Sequence, residues 1–357
     1  MLATLIYGNA AWSNSELAAA HAKRNVTAQP GAGPPKGLNG GPNKLYVMNA
    51  SRVVGGGEKS ELLQVDLQAS TVSPKTTGLA NVWDYVSAST TCGDMYYAVA
   101  TNAPIATGML VLNLKTGEAK YPATESKLVH AIKCGNTAGT LTVVMSDFTS
   151  KRTFSLRSYD VASASTTLIA NFPEVYWGGW DSVFSFNGDK VWAAFPKKPD
   201  AFGNIETGEL IVMDSTTGQM ISRDFPKKGG EPYYTVVPTG GDGTTFKAIL
   251  RKSSSVSADI KLELCSCAVK GDKIDTSGCV DVSNWWDNGD PPAICPDGSM
   301  YIMPRNFRAG NTQPIYRADT STGNLTHVID LVGSSADYEV QTMACVAPAI
   351  TSKQVEA

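Results

Sequence analysis

The chain contains no apolar run near the roughly 18 residues that a helix needs to cross a bilayer, because Gly, Pro, Asn, Asp or Ser interrupts every hydrophobic segment. A helical membrane span is therefore excluded, and a soluble protein without membrane insertion is expected. There is no charge imbalance either: 30 Lys and Arg stand against 33 Asp and Glu, a net charge of -3. No bulk attraction to nucleic acid or to an anionic lipid surface follows from that balance. Histidine is scarce, so only His21, His130 and His327 are available as imidazole bases. The signatures G-x-S-x-G and H-E-x-x-H, the P-loop and the EF-hand loop are all missing. The glycine-rich "GAGPPKG" does not replace a phosphate cradle, since Pro34 and Pro35 lack the N–H donors it would require.

What is present is repetition. An apolar strand ends on Asp or Asn, three or four small residues follow, often with Thr-Gly, and a second strand begins. The copies end their first strand at Asp66, Asn113, Asp160, Asp214 and Asp319, which are 47, 47, 54 and 105 residues apart. The last interval is two periods, so a further copy is expected near residue 266, and "LELCSCAVKG" supplies it with Cys267 in the Asp position and Gly271 closing the turn. An Asp in this position is expected to accept hydrogen bonds from the turn that follows, and Gly218 to supply a positive φ.

Upstream of each copy lies another strand, beginning at Lys44, Met95, Thr140, Lys190, Thr245 and Met300. An inner strand precedes each from the second unit on, ending at Cys92, Cys134, Phe186, Pro238 and Cys295. Each unit thus has four strands, a to d. A β-type pattern repeated about every 50 residues points to a propeller. The first unit lacks its own inner strand, because residues 30–42 are too rich in Pro and Gly to join a ladder. A spare strand occurs at the other end, in "YEVQTMACVAPAI" (Tyr338 to Ile350), and is expected to complete the first blade. The expected fold is all-β: one six-bladed β-propeller over residues 43–350, closed by the C-terminal strand, with 351–357 as a tail. A seventh blade would follow if "LATLIY" near the N-terminus supplies a strand.

Over residues 44–350 the chain resembles the β-propeller superfamily, and its D-x-x-T-G hairpins are similar to those of quinoprotein-like and other bacterial-type blades. WD dipeptides, double-Gly kelch signatures and sialidase Asp-boxes do not recur, so the resemblance implies a blade design and no catalytic residues. It implies that ligands bind on the face where the d-to-a and b-to-c connections gather.

The d-to-a connections carry an unusual composition: Trp83, Asp84 and Tyr85; Tyr176, Trp177, Trp180 and Asp181; Glu231, Tyr233 and Tyr234; Trp285, Trp286, Asp287 and Asp290; Asp337, Tyr338 and Glu339. Five of the 7 tryptophans lie there. Aromatic rings beside carboxylates stack on sugars, attract cations, or ligate Ca²⁺ through oxygen. The structural alternative is that bulky residues pack blade against blade while Asp caps the turn. Converging carboxylates repel one another unless solvated, protonated or bound to a cation, so Asp84, Asp181, Glu231, Asp287 and Glu339 are candidate Ca²⁺ ligands. The longest b-to-c loop, Pro196 to Glu209, adds Lys197, Lys198, Asp200 and Glu206. His130, on an inner strand, is the one base expected near the channel.

Three functional classes are compatible with these residues. The first is an extracellular, non-enzymatic binding or assembly module with glycan or protein ligands and no cofactor. The second resembles the Ca²⁺-dependent lactonase and arylesterase propellers. The third is a quinoprotein-like redox enzyme.

The 7 cysteines bear on compartment. Cys92 and Cys134, and Cys295 and Cys345, end inner strands of adjacent blades and are disulfide candidates. Cys265, Cys267 and Cys279 lie across one hairpin, where Cys279 can bridge one partner only, and Cys267 and Cys279 are disulfide candidates as well. A zinc site there lacks a fourth ligand. The pattern favours a secretory or extracellular setting. Residues 1–42 form an N-terminal extension; it reads poorly as a signal peptide because it has no basic start. Ser13 and Glu16 form a capping box that predicts a helix over 13–24. Sequons stand at Asn25, Asn49 and Asn324, about as many as chance would place in a chain this rich in Asn, Ser and Thr.

Overall fold

In the computed structural model the described residues are 44–51, 59–80, 89–102, 106–124, 127–147, 153–173, 183–195, 209–224, 233–238, 244–251, 262–270, 273–285, 293–295, 299–303, 312–332 and 338–345. All belong to one compact unit, Leu38–Ala357. The expected N-terminal helix, the "LATLIY" segment and the C-terminal tail lie outside the described residues.

The described strands form six four-stranded antiparallel sheets. Blade 1 contains β1 (Lys44–Ser51), β2 (Lys59–Asp66) and β3 (Thr71–Ala80), and blade 2 contains β4 (Ser89–Cys92), β5 (Met95–Asn102), β6 (Ala106–Asn113) and β7 (Ala119–Lys120). Blade 3 is β8 (Leu128–Cys134), β9 (Thr140–Ser146), β10 (Phe154–Asp160) and β11 (Ser165–Asn171). Blade 4 is β12 (Val183–Asn187), β13 (Lys190–Phe195), β14 (Glu209–Asp214) and β15 (Met220–Asp224). Blade 5 is β16 (Tyr233–Pro238), β17 (Thr245–Arg251), β18 (Leu262–Lys270) and β19 (Lys273–Asp281), and blade 6 is β20 (Ala293–Ile294), β21 (Met300–Ile302), β22 (Thr312–Ala318) and β23 (Leu325–Val332). The chain closes as expected. β24 (Tyr338–Cys345) joins β1 as the inner strand of blade 1, with Leu45 opposite Cys345 and Val47 opposite Met343.

Strand alternation explains the continuous apolar runs that conceal a period of two in the sequence. Leu45 and Val47 pack with Tyr301 and Ile315 of blade 6, whereas Tyr46 and Met48 pack with Tyr96 and Leu110 of blade 2. Both faces of a central strand are buried, so both must be apolar. The same sorting gives one core cluster at each of the six seams between successive blades. Each deeply buried Leu, Val or Phe contributes about 1.5–3 kcal/mol of transfer free energy. The ring is thus held by its seams, and no central core is needed.

The D-x-x-T-G segments are hairpins. Asp214 Oδ1 accepts the N–H groups of Thr216 and Thr217 at 3.0 and 2.7 Å, and the Gly218 N–H donates to the Asp214 carbonyl at 2.9 Å. Asn113 and Asp319 repeat the pattern, with Gly117, Gly218 and Gly323 at φ 75, 74 and 76°. In the copies without glycine, Ser70 and Ala164 take the same left-handed position, at φ 51 and 54°.

Blade 5 departs from this design. Cys267 does not open a turn: β18 continues to Lys270, and Lys270 pairs directly with Lys273. A thiol cannot replace a carboxylate as acceptor for two backbone N–H groups, so the ladder simply continues.

Three disulfides form. Cys92–Cys134 and Cys295–Cys345 join the inner strands of adjacent blades, with Cα atoms 5.7 and 5.2 Å apart. The third is Cys265–Cys279, so Cys267 is corrected from a bridging candidate to a buried free thiol. A register shift between Leu264 and Ser266 leaves Cys279 across from Cys265, whereas Cys267 is opposite Thr276. Burial pushes the Cys267 thiol up to about 11. Three bridges point to a non-cytoplasmic protein. Among the described residues, no helix is long and apolar enough to cross a membrane.

Candidate functional site

Every blade runs a, b, c, d from the inside outward, so the b-to-c and d-to-a connections emerge on one face and the a-to-b and c-to-d hairpins on the other. The two faces are built differently.

On the hairpin face, side chains tie blades together. Lys133, near the end of β8, donates to the Gly188 carbonyl at 2.8 Å and to Ser215 Oγ at 2.6 Å, and its Nζ lies 5.7 Å from the Phe186 ring centre. Burial lowers its pKa while Asp189 and Asp214 oppose that shift. Asn136 reaches Thr216 in the same hairpin at 3.3 Å. The Asp residues that end the c strands on this face are turn formers: Ser321 and Thr322 hydrogen bonds hold the Asp319 carboxyl at about 2, and the Thr217 backbone holds that of Asp214 low. They are committed to structure, as their place in the repeat implied.

The connection face is different at the seam between blades 3 and 4. His130, Phe154, Phe172, Phe184 and Phe195 form a layer there, with neighbouring ring centres 5.1 to 6.0 Å apart. Each comes from a strand end on this face or just beyond it. His130 sits where the β8–β9 register shifts, its Nε2 is 2.7 Å from Ser146 Oγ, and it is half-buried. The imidazole therefore belongs to an aromatic layer under the face, with a buried serine beside it. Three connections leave this layer: 148–152 follows Asp147, 174–182 follows Phe172 and returns as β12, and 196–208 follows Phe195. Thr153, closing the first, donates to Asp147 at 2.9 Å.

Of the sequence candidates, Trp83, Asp84, Trp177, Trp180, Asp181, Glu231, Trp286 and Asp287 lie outside the described residues. Tyr233 opens β16 opposite Leu250. Tyr338 and Glu339 open β24, opposite Ser51 and Ala50. Trp285 is a correction. It is 6 % exposed in the core between blades 5 and 6, and its indole N–H donates to the Gly323 carbonyl at 3.0 Å, so it is a packing residue rather than a stacking plate. The other histidine within the described residues, His327, is exposed on β23 and 2.8 Å from Asp330. One group of three metal-ligating side chains occurs among the described residues, Glu263, Cys265 and Cys279, with ligand atoms within 4.8 Å. The disulfide uses both sulfurs.

Sequence reasoning missed Ser146, Phe154, Phe184 and Lys133. Their signal was positional: polar residues ending or entering apolar strands, and Phe at strand ends on one face.

No family model and no curated protein matches the chain. Among solved structures, TolB from Acinetobacter baumannii aligns at 12% identity with a TM-score of 0.53, over 84% of this chain and 66% of its own, so the chain spans about two thirds of that relative. A gluconolactonase described as periplasmic from Pseudomonas aeruginosa aligns at 12% identity and TM-score 0.42, over 85% of this chain and 100% of its own. A 6-phosphogluconolactonase described as putative, from Bacteroides uniformis, aligns at 14% identity and TM-score 0.43, over 84% and 99%. At such identities likeness extends to fold alone; the six-bladed β-propeller is read from this chain's own six sheets.

Proposed function

We propose that this propeller is an extracellular binding or assembly module that takes a glycan or protein ligand on its connection face, above the seam of blades 3 and 4. The observation that carries the reading is the aromatic layer His130–Phe154–Phe172–Phe184–Phe195, from which three connections spring at once. One of them is the connection richest in aromatics, with Tyr176, Trp177, Trp180 and Asp181, and another is the longest b-to-c loop. Binding loops need a rigid base, because every loop motion frozen on association subtracts from affinity. Closely packed rings at a blade seam provide that base.

His130 is engaged with Ser146 and two phenylalanines, which suits a supporting role better than that of an open general base. Two assays on the full chain test the reading together: binding to a glycan array and a protein-partner screen, and turnover of lactones and aryl esters with and without Ca²⁺. Saturable binding without turnover supports the module. Ca²⁺-dependent hydrolysis at the same face would replace it with the hydrolase class.

A further inference from the structure

We infer that Asn324 carries an N-linked glycan and that Asn49 does not. The structure separates Asn324 from Asn49. Asn25 lies outside the described residues, in the N-terminal segment. Asn49 is inside a ladder, with its backbone opposite Glu61 on one side and Val340 on the other. Asn324 ends the c-to-d hairpin of blade 6 and is exposed.

Its local geometry presents the sequon outward. Leu325 turns in to pack with the core between blades 5 and 6. In a strand, alternate residues point to opposite sides, so Asn324 and Thr326 on either side of Leu325 turn out together, and both are exposed. The Asn324 backbone is fixed at both ends: its carbonyl accepts from the Asp319 N–H at 2.9 Å, and its N–H donates to Thr322 Oγ1 at 3.3 Å. The preceding Gly323 is anchored, since its carbonyl accepts the Trp285 indole N–H at 3.0 Å. The side-chain amide itself makes no hydrogen bond to a described residue. A bulky, hydrated substituent there displaces no protein contact.

The step is a group transfer without redox change. The donor is an oligosaccharide on a polyprenyl diphosphate. The Asn324 Nδ2 forms a bond to the anomeric carbon, the bond from that carbon to the diphosphate oxygen breaks, the amide loses one proton, and the lipid diphosphate leaves. Three disulfides already call for the oxidising compartment in which such a donor acts. The glycan would stand on the hairpin face, leaving the connection face open to ligand.

The test is secretion of the full chain from a eukaryotic host, followed by peptide N-glycosidase, intact-mass analysis and a peptide map. A glycan at Asn324 is expected, with Asp replacing Asn at position 324 in the peptide map after the enzyme. Asn324→Gln and Thr326→Ala should remove it, and Thr326→Ser should retain it. The Thr326 pair decides the matter even if Asn324→Gln secretes poorly. An unmodified Asn324 in the peptide map, or an enzyme-sensitive mass equal in Asn324→Gln and the wild type, overturns the inference.

Discussion

Replacing Cys295 and Cys345 together by alanine should destabilise the propeller by about 4 kcal/mol, because this bridge ties β24, the strand that closes the ring against β1, to the inner strand of blade 6. The bridged cysteines are 50 residues apart in sequence. Loop-closure entropy for a cross-link of that length corresponds to about 4 kcal/mol at 25 °C, against about 3 kcal/mol for a separation of 14. The second figure applies to Cys265–Cys279, which lies within one blade and closes nothing. With an unfolding entropy of about 2.1 cal/mol/K per residue over some 300 residues, 4 kcal/mol lowers Tm by about 6 °C. Differential scanning calorimetry of the two double variants reads the contrast. The closure variant should also admit protease more readily at β24, which is then held by its pairing to β1, by Met343 and Ala344 in the two flanking cores and by the Thr91 hydrogen bond to its last carbonyl. A closure variant that melts no lower than the Cys265→Ala/Cys279→Ala variant would refute the reasoning.

Three further outcomes follow from single residues. Gly218→Ala should cost about 2–3 kcal/mol, since the residue sits at φ 74° and an added Cβ would lie 2.5 Å from the Ala170 Cβ of the preceding blade; Gly93→Ala, at φ 60° with open space around it, should cost about 1 kcal/mol, and urea titration of both variants checks the difference. Asp319, held at about 2, is depressed relative to the unfolded chain, so its contribution is present above the unfolded pKa of roughly 4 and disappears as pH falls towards 2. The Tm difference between the wild type and Asp319→Asn should therefore shrink across that window, and a difference constant from pH 5 to pH 2 would contradict the assignment. Lys133→Met keeps the stem but removes both donors to blade 4; it should cost about 1–3 kcal/mol by leaving Ser215 and the Gly188 carbonyl short of a partner, as measured by chemical denaturation.

Much of the architecture was legible because the D-x-x-T-G hairpin announces itself chemically: a carboxylate that accepts turn N–H groups and a glycine at positive φ leave a fixed spacing in the sequence. Ring closure was legible from a deficit, since residues before Lys44 could not form a strand and those after Tyr338 had no partner of their own. Blade 5 misled because a Cys in the Asp position has the right spacing but the wrong acceptor. The choice of Cys265 over Cys267 depended on a one-residue register shift, which local sequence does not encode. Trp285 looked like a ligand plate because composition does not distinguish a ring that faces solvent from one that turns under the next hairpin. The aromatic layer at the seam of blades 3 and 4 was hidden for a related reason: its five rings are spread between residues 130 and 195 and meet only when two blades stand side by side.

The most direct test of the account is a glycan-array comparison of the wild type with Trp177→Ala/Trp180→Ala and with Met220→Ser, the last on exposed outer strand β15. If Trp177 and Trp180 hold the ligand as proposed, their loss should weaken binding about tenfold or more, while Met220→Ser binds as the wild type does. Equal binding by the wild type and the double tryptophan variant would contradict the assignment of the ligand to the connection face above blades 3 and 4.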